Sequence, residues 1–129
     1  MKALDTCILA RYFVGDDPVQ TPLAEQQVEQ GGFVPITVAL ELAWLLRSRY
    51  GYSRALVADT LSELGNLPNI MMASELSLPW IVDRMRAGAD VADLIHIVAS
   101  VGCQSFVTFD DMAQKVGNKS PVAVELLGV

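Results

Sequence analysis

The sequence predicts one α/β domain built on a parallel sheet with helices on both faces. Three observations carry that expectation. Short apolar, β-prone segments alternate with helical stretches of about 10 to 15 residues. Glycines and capping residues punctuate that alternation. The chain's 129 residues, 52% apolar and 19% charged, are one domain's worth and apolar enough to bury a core without staples.

Taken in order, residues 1–4 read as a short strand ending at Asp5, and residues 6–14 as a helix. Gly15, Asp16, Asp17 and Pro18 have turn chemistry. A helix over 21–30 stops at Gly31 and Gly32, and 33–35 is a very short second strand. Thr37 is the expected cap of a strong helix running to Tyr50 and ended by Gly51. Ser53 caps the next helix, through Leu64, and 69–73 is a third strand. A helix over 75–86 carries Pro79 in its first turn. Asp90 caps a helix through Val101, stopped by Gly102, and 105–108 is a fourth strand running into Asp110 and Asp111. A short helix over 112–116 and an apolar tail over 122–126 complete the pattern.

Fifteen acidic against nine basic residues give a net charge of −6, the wrong sign for binding nucleic acid through a generalised basic surface. An acidic pocket loaded with metal escapes that exclusion, because bound cations reverse its local sign. No apolar run approaches the ~18 residues of a membrane span. The start, Met1-Lys2-Ala3-Leu4-Asp5, carries no apolar signal core. Cys7 and Cys103 are far apart and are expected to stay reduced. The expectation is a soluble cytoplasmic protein.

Four acids occupy notable places. Asp5 and Asp110 follow the first and fourth strands, and ligands of open parallel sheets gather at the carboxyl ends of strands. If those strands are neighbours, the two carboxylates face each other. Glu41 has Val38, Trp44 and Leu45 as helical neighbours, which predicts a carboxylate on a core-facing stripe near a helix start. Asp93 lies three residues after Asp90, beside His96 and Ile97. Each position has an ordinary alternative: a cap for Asp5, a capping pair for Asp90 and Asp93, a turn for Asp110 and Asp111. Together they favour a convergent acidic pocket, and oxygen ligands suit Mg²⁺ or Mn²⁺. His96 reads as a helix-face residue paired with Asp93 or the main chain, and Cys7 as packing.

The stretches Leu4-Asp5-Thr6, Leu40-Glu41-Leu42-Ala43-Trp44, Ala92-Asp93-Leu94-Ile95-His96 and Phe106-Val107-Thr108-Phe109-Asp110 resemble, in order, the four signatures of PIN-domain ribonucleases. With Arg11-Tyr12-Phe13-Val14-Gly15-Asp16-Asp17-Pro18 the chain resembles, more narrowly, the VapC toxins of toxin–antitoxin pairs. The likeness spans essentially residues 1–129 as a single PIN domain. It implies a Rossmann-like sandwich around a short parallel sheet of four to five strands. It also implies that Asp5, Glu41, Asp93 and Asp110 form the catalytic quartet holding Mg²⁺ or Mn²⁺, with Thr6 and Thr108 positioning ligands or water. The implied reaction is metal-dependent hydrolysis of RNA phosphodiesters, leaving a 5′-phosphate. The implied partners are an RNA substrate, a cognate antitoxin and a second copy of the chain. One departure is Cys7, where family members commonly carry asparagine.

Arg11, Lys115 and Lys119 are the candidates for local basic ground toward RNA. Trp44, Trp80, Tyr12, Tyr50 and Tyr52 offer aromatic surface for interfaces. The alternative is a non-catalytic signalling or binding module of receiver-like open α/β fold. It fits less well, because Asp5 is followed by Thr6 and Cys7 rather than a second acid, and the third strand by Ala73 and Ser74. A haloacid-dehalogenase-type phosphatase would need an aspartate at position 7.

Overall fold

Asp5 ends the first extended segment and starts the first helix. The computed structural model describes residues 1–73 and 77–128, and the chain divides into two compact units, Met1–Ala73 and Ser74–Val129. In the first unit, residues 2–4 run parallel to residue 33: Leu4 N–H donates to the Phe33 carbonyl and Phe33 N–H to the Lys2 carbonyl, each at 2.8 Å. Helix α1 (Thr6–Val14) is capped by the Asp5 carboxylate and closes on Gly15, whose φ of 68° is the left-handed turn that glycine adopts freely. Helix α2 (Gln20–Gln30) leads into β1 (Gly32–Phe33). Two helices follow, α3 (Ile36–Ser48) and α4 (Arg54–Asn66), the latter capped by the Ser53 hydroxyl on Leu56 N–H. Strand β2 (Ile70–Met71) then pairs parallel with β1 in the register Gly32↔Ile70 and Phe33↔Met71. Leu9, Leu42, Leu46, Val57, Leu61 and Leu64 form the buried centre of this unit. Each such side chain contributes about 1.5–3 kcal/mol by leaving water.

The second unit contains α5 (Leu78–Arg86), α6 (Val91–Val98), β3 (Phe106–Thr108), α7 (Ala113–Val116) and β4 (Val124–Leu126). Strands β3 and β4 are parallel, with Phe106↔Val124, Val107↔Glu125 and Thr108↔Leu126 in register. Ile97, Met112, Val116 and Val122 make a buried cluster against which Trp80, Phe106 and Val124 pack. Arg84 ties α5 to α7, its Nε donating to the Lys115 carbonyl at 2.7 Å and its Nη2 to the Gln114 carbonyl at 2.9 Å. These bonds satisfy carbonyls that a short helix leaves open at its end.

The mixed α/β class and the parallel pairing follow the expectation. The described strands, however, form two sheets of two strands each, one per unit. The expected strand over 1–4 is only a bridge at Ala3, and the apolar tail is a strand, β4. Helix α3 starts at Ile36 after an extended Pro35, so Thr37 is already helical and is not its cap. Helix α6 stops at Val98 rather than Val101, and Asp90 stands at its N-cap without a side-chain capping bond. Helix α5 starts at Leu78 with Pro79 in its first turn; its expected first residue, Glu75, lies outside the described residues. Among the described residues no helix is long and apolar enough to cross a membrane.

Candidate acidic site

The carboxyl end of the first extended segment presents Asp5 to solvent. Its Oδ1 accepts the Thr6 N–H at 2.8 Å, while Oδ2 has only the Cys7 thiol, 3.8 Å away. Thr6 is 4% exposed, and its buried Oγ1 has no hydrogen-bond partner. An orphaned buried hydroxyl costs about 1–3 kcal/mol.

The carboxyl end of β3 presents a second acid in similar company. Asp110 is exposed, and its N–H donates to Thr108 Oγ1 at 3.0 Å. Asp111 turns instead toward the entry of α7, where its Oδ1 accepts the Ala113 N–H at 3.3 Å. Asp93 is half-buried in the first turn of α6, where the helix end favours negative charge. No hydrogen bond or ion pair joins it to His96, whose described contact is its carbonyl accepting from Ser100 Oγ at 2.8 Å.

Glu41 departs from its expected setting. The buried residues of α3 are Ala39, Leu42, Ala43 and Leu46, and Glu41 lies off that face, exposed to solvent. Its neighbour Trp44 is 65% exposed. With the helix starting at Ile36, Glu41 also sits beyond the first turn.

Asp5 and Glu41 belong to the first unit, Asp93 and Asp110 to the second. Within either unit, among the described residues, no three His, Cys, Asp or Glu side chains are gathered to hold a metal. The donor set itself suits a hard cation. It is all carboxylate oxygen, and no ion pair occupies any of the four among the described residues.

Of the basic candidates, Arg11 is committed elsewhere. Its Nε donates to Gln20 Oε1 at 2.8 Å and its Nη1 to Tyr50 Oη at 3.0 Å, with Asp16 and Asp17 at 3.6 and 4.0 Å. The Tyr50 hydrogen bond, with the nearby Asp16 and Asp17 charges, raises its pKa further and holds the guanidinium charged. It fastens the turn after α1 rather than offering free charge to a polyanion. Lys115 and Lys119 are exposed. Both cysteines are free and exposed.

A second acidic region escaped the sequence analysis. A cleft of about 560 Å³ in the first unit is lined by Tyr12, Phe13, Glu25, Val28, Glu29, Glu63, Leu67, Pro68 and Asn69. The available signal was the spacing of Glu25 and Glu29, one helical turn apart on α2. No protein-family model, curated protein or solved structure matches the chain.

Proposed function

We propose that the chain is a metal-dependent endoribonuclease acting on RNA phosphodiester bonds, the toxin of a toxin–antitoxin pair of the VapC type. The observation that carries this reading is the repeated arrangement at two strand ends. Asp5 follows an extended segment with buried Thr6 beside it, and Asp110 follows β3 with its N–H held by Thr108. Acids at the carboxyl ends of parallel strands stand where open α/β folds do chemistry. Residues 2–4 pair with β1, β1 with β2, and β3 with β4, every pairing parallel. The proposed fold is the Rossmann-like PIN domain with a short parallel sheet of four to five strands.

In this reading Asp5, Glu41, Asp93 and Asp110 hold Mg²⁺ or Mn²⁺. The metal, when bound, neutralises phosphate charge and acidifies water for attack on phosphorus. The chain's own part is positional. Helix α1 spends one Asp5 oxygen on the Thr6 N–H, which fixes the carboxylate and leaves Oδ2 for a ligand. Thr108 holds the backbone of Asp110 in place. Thr108 is the hydroxyl proposed to orient ligands or water, whereas Thr6, expected to do the same, has a buried hydroxyl and acts on Asp5 through its N–H.

A cytoplasmic homodimer held with an antitoxin belongs to the same proposal. Trp44 at 65% and Phe109 at 78% exposure supply aromatic surface of the kind found at interfaces. The test is cleavage of RNA by the purified chain, first with chelator and then with Mg²⁺ or Mn²⁺ added back. Cleavage only with the divalent ion is expected. No cleavage with either ion would refute the enzyme reading.

A further inference from the structure

We infer that Trp44 is a stacking post for one unpaired nucleotide of RNA, held beside Glu41 with a flanking phosphate on Arg47. The inference rests on the nuclease reading and adds positioning residues on its substrate side. All three residues lie on α3, within the first unit. The exposed positions of that helix are Thr37, Glu41, Trp44, Arg47 and Ser48. Thr37, Glu41, Trp44 and Ser48 recur every three or four residues, with Arg47 beside the last. That spacing makes one solvent-facing stripe, opposite the buried Ala39, Leu42, Ala43 and Leu46.

The surroundings of the ring define its occupant. Trp44 is 65% exposed, an indole left in water at a cost in free energy. Of its neighbours one turn away, Glu41, Arg47 and Ser48 are exposed and polar, and only Leu40 is apolar. Charges so close mark the rim of a protein interface rather than its core. A nucleobase needs no apolar surround: it stacks face to face on the ring and carries a phosphate on either side. Glu41 and Arg47 each stand three residues from Trp44, about 4.5 Å of helix rise. A base on the ring therefore sets one flanking phosphate toward the proposed metal ligand and the other toward the guanidinium. Stacking requires a free base face, which a single strand offers and a duplex does not. A protein that covered the ring would exclude the nucleotide.

Charge supports the same assignment. The chain carries a net −6, so a polyanion needs local cations whose donors are free. Arg11 does not qualify, being tied to Gln20 and Tyr50. Arg47 makes no ion pair among the described residues. Its guanidinium keeps its fork of donors for phosphate oxygens. The basic ground sought at Arg11 thus lies on α3, two turns beyond Glu41.

The experiment titrates oligouridylate RNA into the full chain, in chelator and at low salt. An unlabelled copy is read by tryptophan fluorescence and a dye-labelled copy by anisotropy. Saturable binding that quenches the tryptophan emission is expected of the unaltered chain, which needs no variant to fold. Trp44→Ala should bind about tenfold more weakly. Trp44→Phe should keep affinity within about threefold but lose the quenching, since Trp80 is then the only indole. Arg47→Gln should weaken binding and reduce the salt slope by about one phosphate contact. With Mg²⁺ added, Trp44→Ala should raise KM about tenfold and leave kcat within about threefold. Circular dichroism should show each variant folded as the parent, because both positions are exposed. Parental affinity in Trp44→Ala, no RNA binding, or binding without quenching overturns the inference. So does an RNA duplex that quenches as strongly as the single strand. A smaller oligomer in Trp44→Ala with RNA affinity unchanged also overturns it and assigns the ring to a protein contact. Binding and quenching as expected, with no cleavage in Mg²⁺ or Mn²⁺, would support the stacking post and refute the nuclease reading alone.

Discussion

The first unit carries carboxylates at both ends of its strands, in opposite company. At the carboxyl end, Asp5 has a backbone N–H on one oxygen and a thiol 3.8 Å from the other, with a buried hydroxyl next in sequence. At the amino end, Glu25, Glu29 and Glu63 share a cleft with Tyr12 and Phe13. The first setting offers hard oxygen donors; the second offers charge beside rings and hydrocarbon. Residue type alone does not distinguish them. Their neighbours do.

The largest expected effect would separate the two regions outright. On the proposed function, Asp5→Asn, Glu41→Gln, Asp93→Asn and Asp110→Asn should each lower metal-dependent RNA cleavage by about 100-fold or more, since each removes a proposed anionic ligand. Glutamine substitutions at Glu25, Glu29 and Glu63 should leave cleavage within about twofold. Steady-state assays of the purified variants decide this, and wild-type activity in Asp93→Asn would dissolve the quartet.

Next comes the wall of the cleft, where Asn69 Nδ2 donates to the Glu29 carbonyl at 2.7 Å and Gly31 has a φ of 97°. Gly31→Ala should destabilise the fold by about 1–3 kcal/mol from backbone strain, before the clash with Asn69 is counted. Denaturant unfolding measures it. A midpoint unchanged from the parent chain would mean that the loop before β2 is not held against α2 as described.

Asp17 supplies a smaller, pH-dependent effect. Its Oδ1 accepts the N–H groups of Gln20 and Val19 at 2.7 and 2.9 Å, and these bonds, with Arg11, hold its carboxyl below the usual carboxylate range. A depressed folded pKa stabilises the native state above the unfolded value of about 3.9. That stabilisation is lost as pH falls through the lower folded value. Thermal midpoints of the parent chain and Asp17→Asn should therefore differ near neutrality and converge in acid. A gap that persists or widens in acid would contradict the capping role.

The smallest effect tests the boundary of the acidic site. Asp111→Asn keeps an acceptor for the Ala113 N–H and should leave cleavage within about threefold. Loss equal to that of Asp110→Asn would assign the fourth ligand wrongly.

Local chemistry made part of this legible in advance. Asp5 before Thr6 and Ser53 before Arg54 mark α1 and α4 because a side-chain cap needs only its own next residues. The face of α3 was not legible for a related reason. Ile36, Val38, Ala39, Leu40, Leu42, Ala43, Trp44, Leu45 and Leu46 surround the helix with apolar residues, so periodicity cannot choose a side. Packing chose Ala39, Leu42, Ala43 and Leu46, which left Glu41 outside. The cleft was invisible because Tyr12, Glu29 and Glu63 come from three helices.

What the sequence by itself determined was the α/β class, the order of the helices with β1, β2 and β3 among them, the place of Asp5 at the start of α1 and that of Asp110 just past β3. Those depend on hydrophobic period, caps and glycines, all of them interactions between near neighbours. Tertiary structure alone decided which strands pair, that the tail becomes β4, which face of α3 is buried, and that Arg11 is spent on Tyr50 and Gln20. These depend on contacts between distant residues, as when Gly32 meets Ile70 across two intervening helices. A short strand carries too few side chains to specify its own partner, so the packing of the helices around it makes the choice.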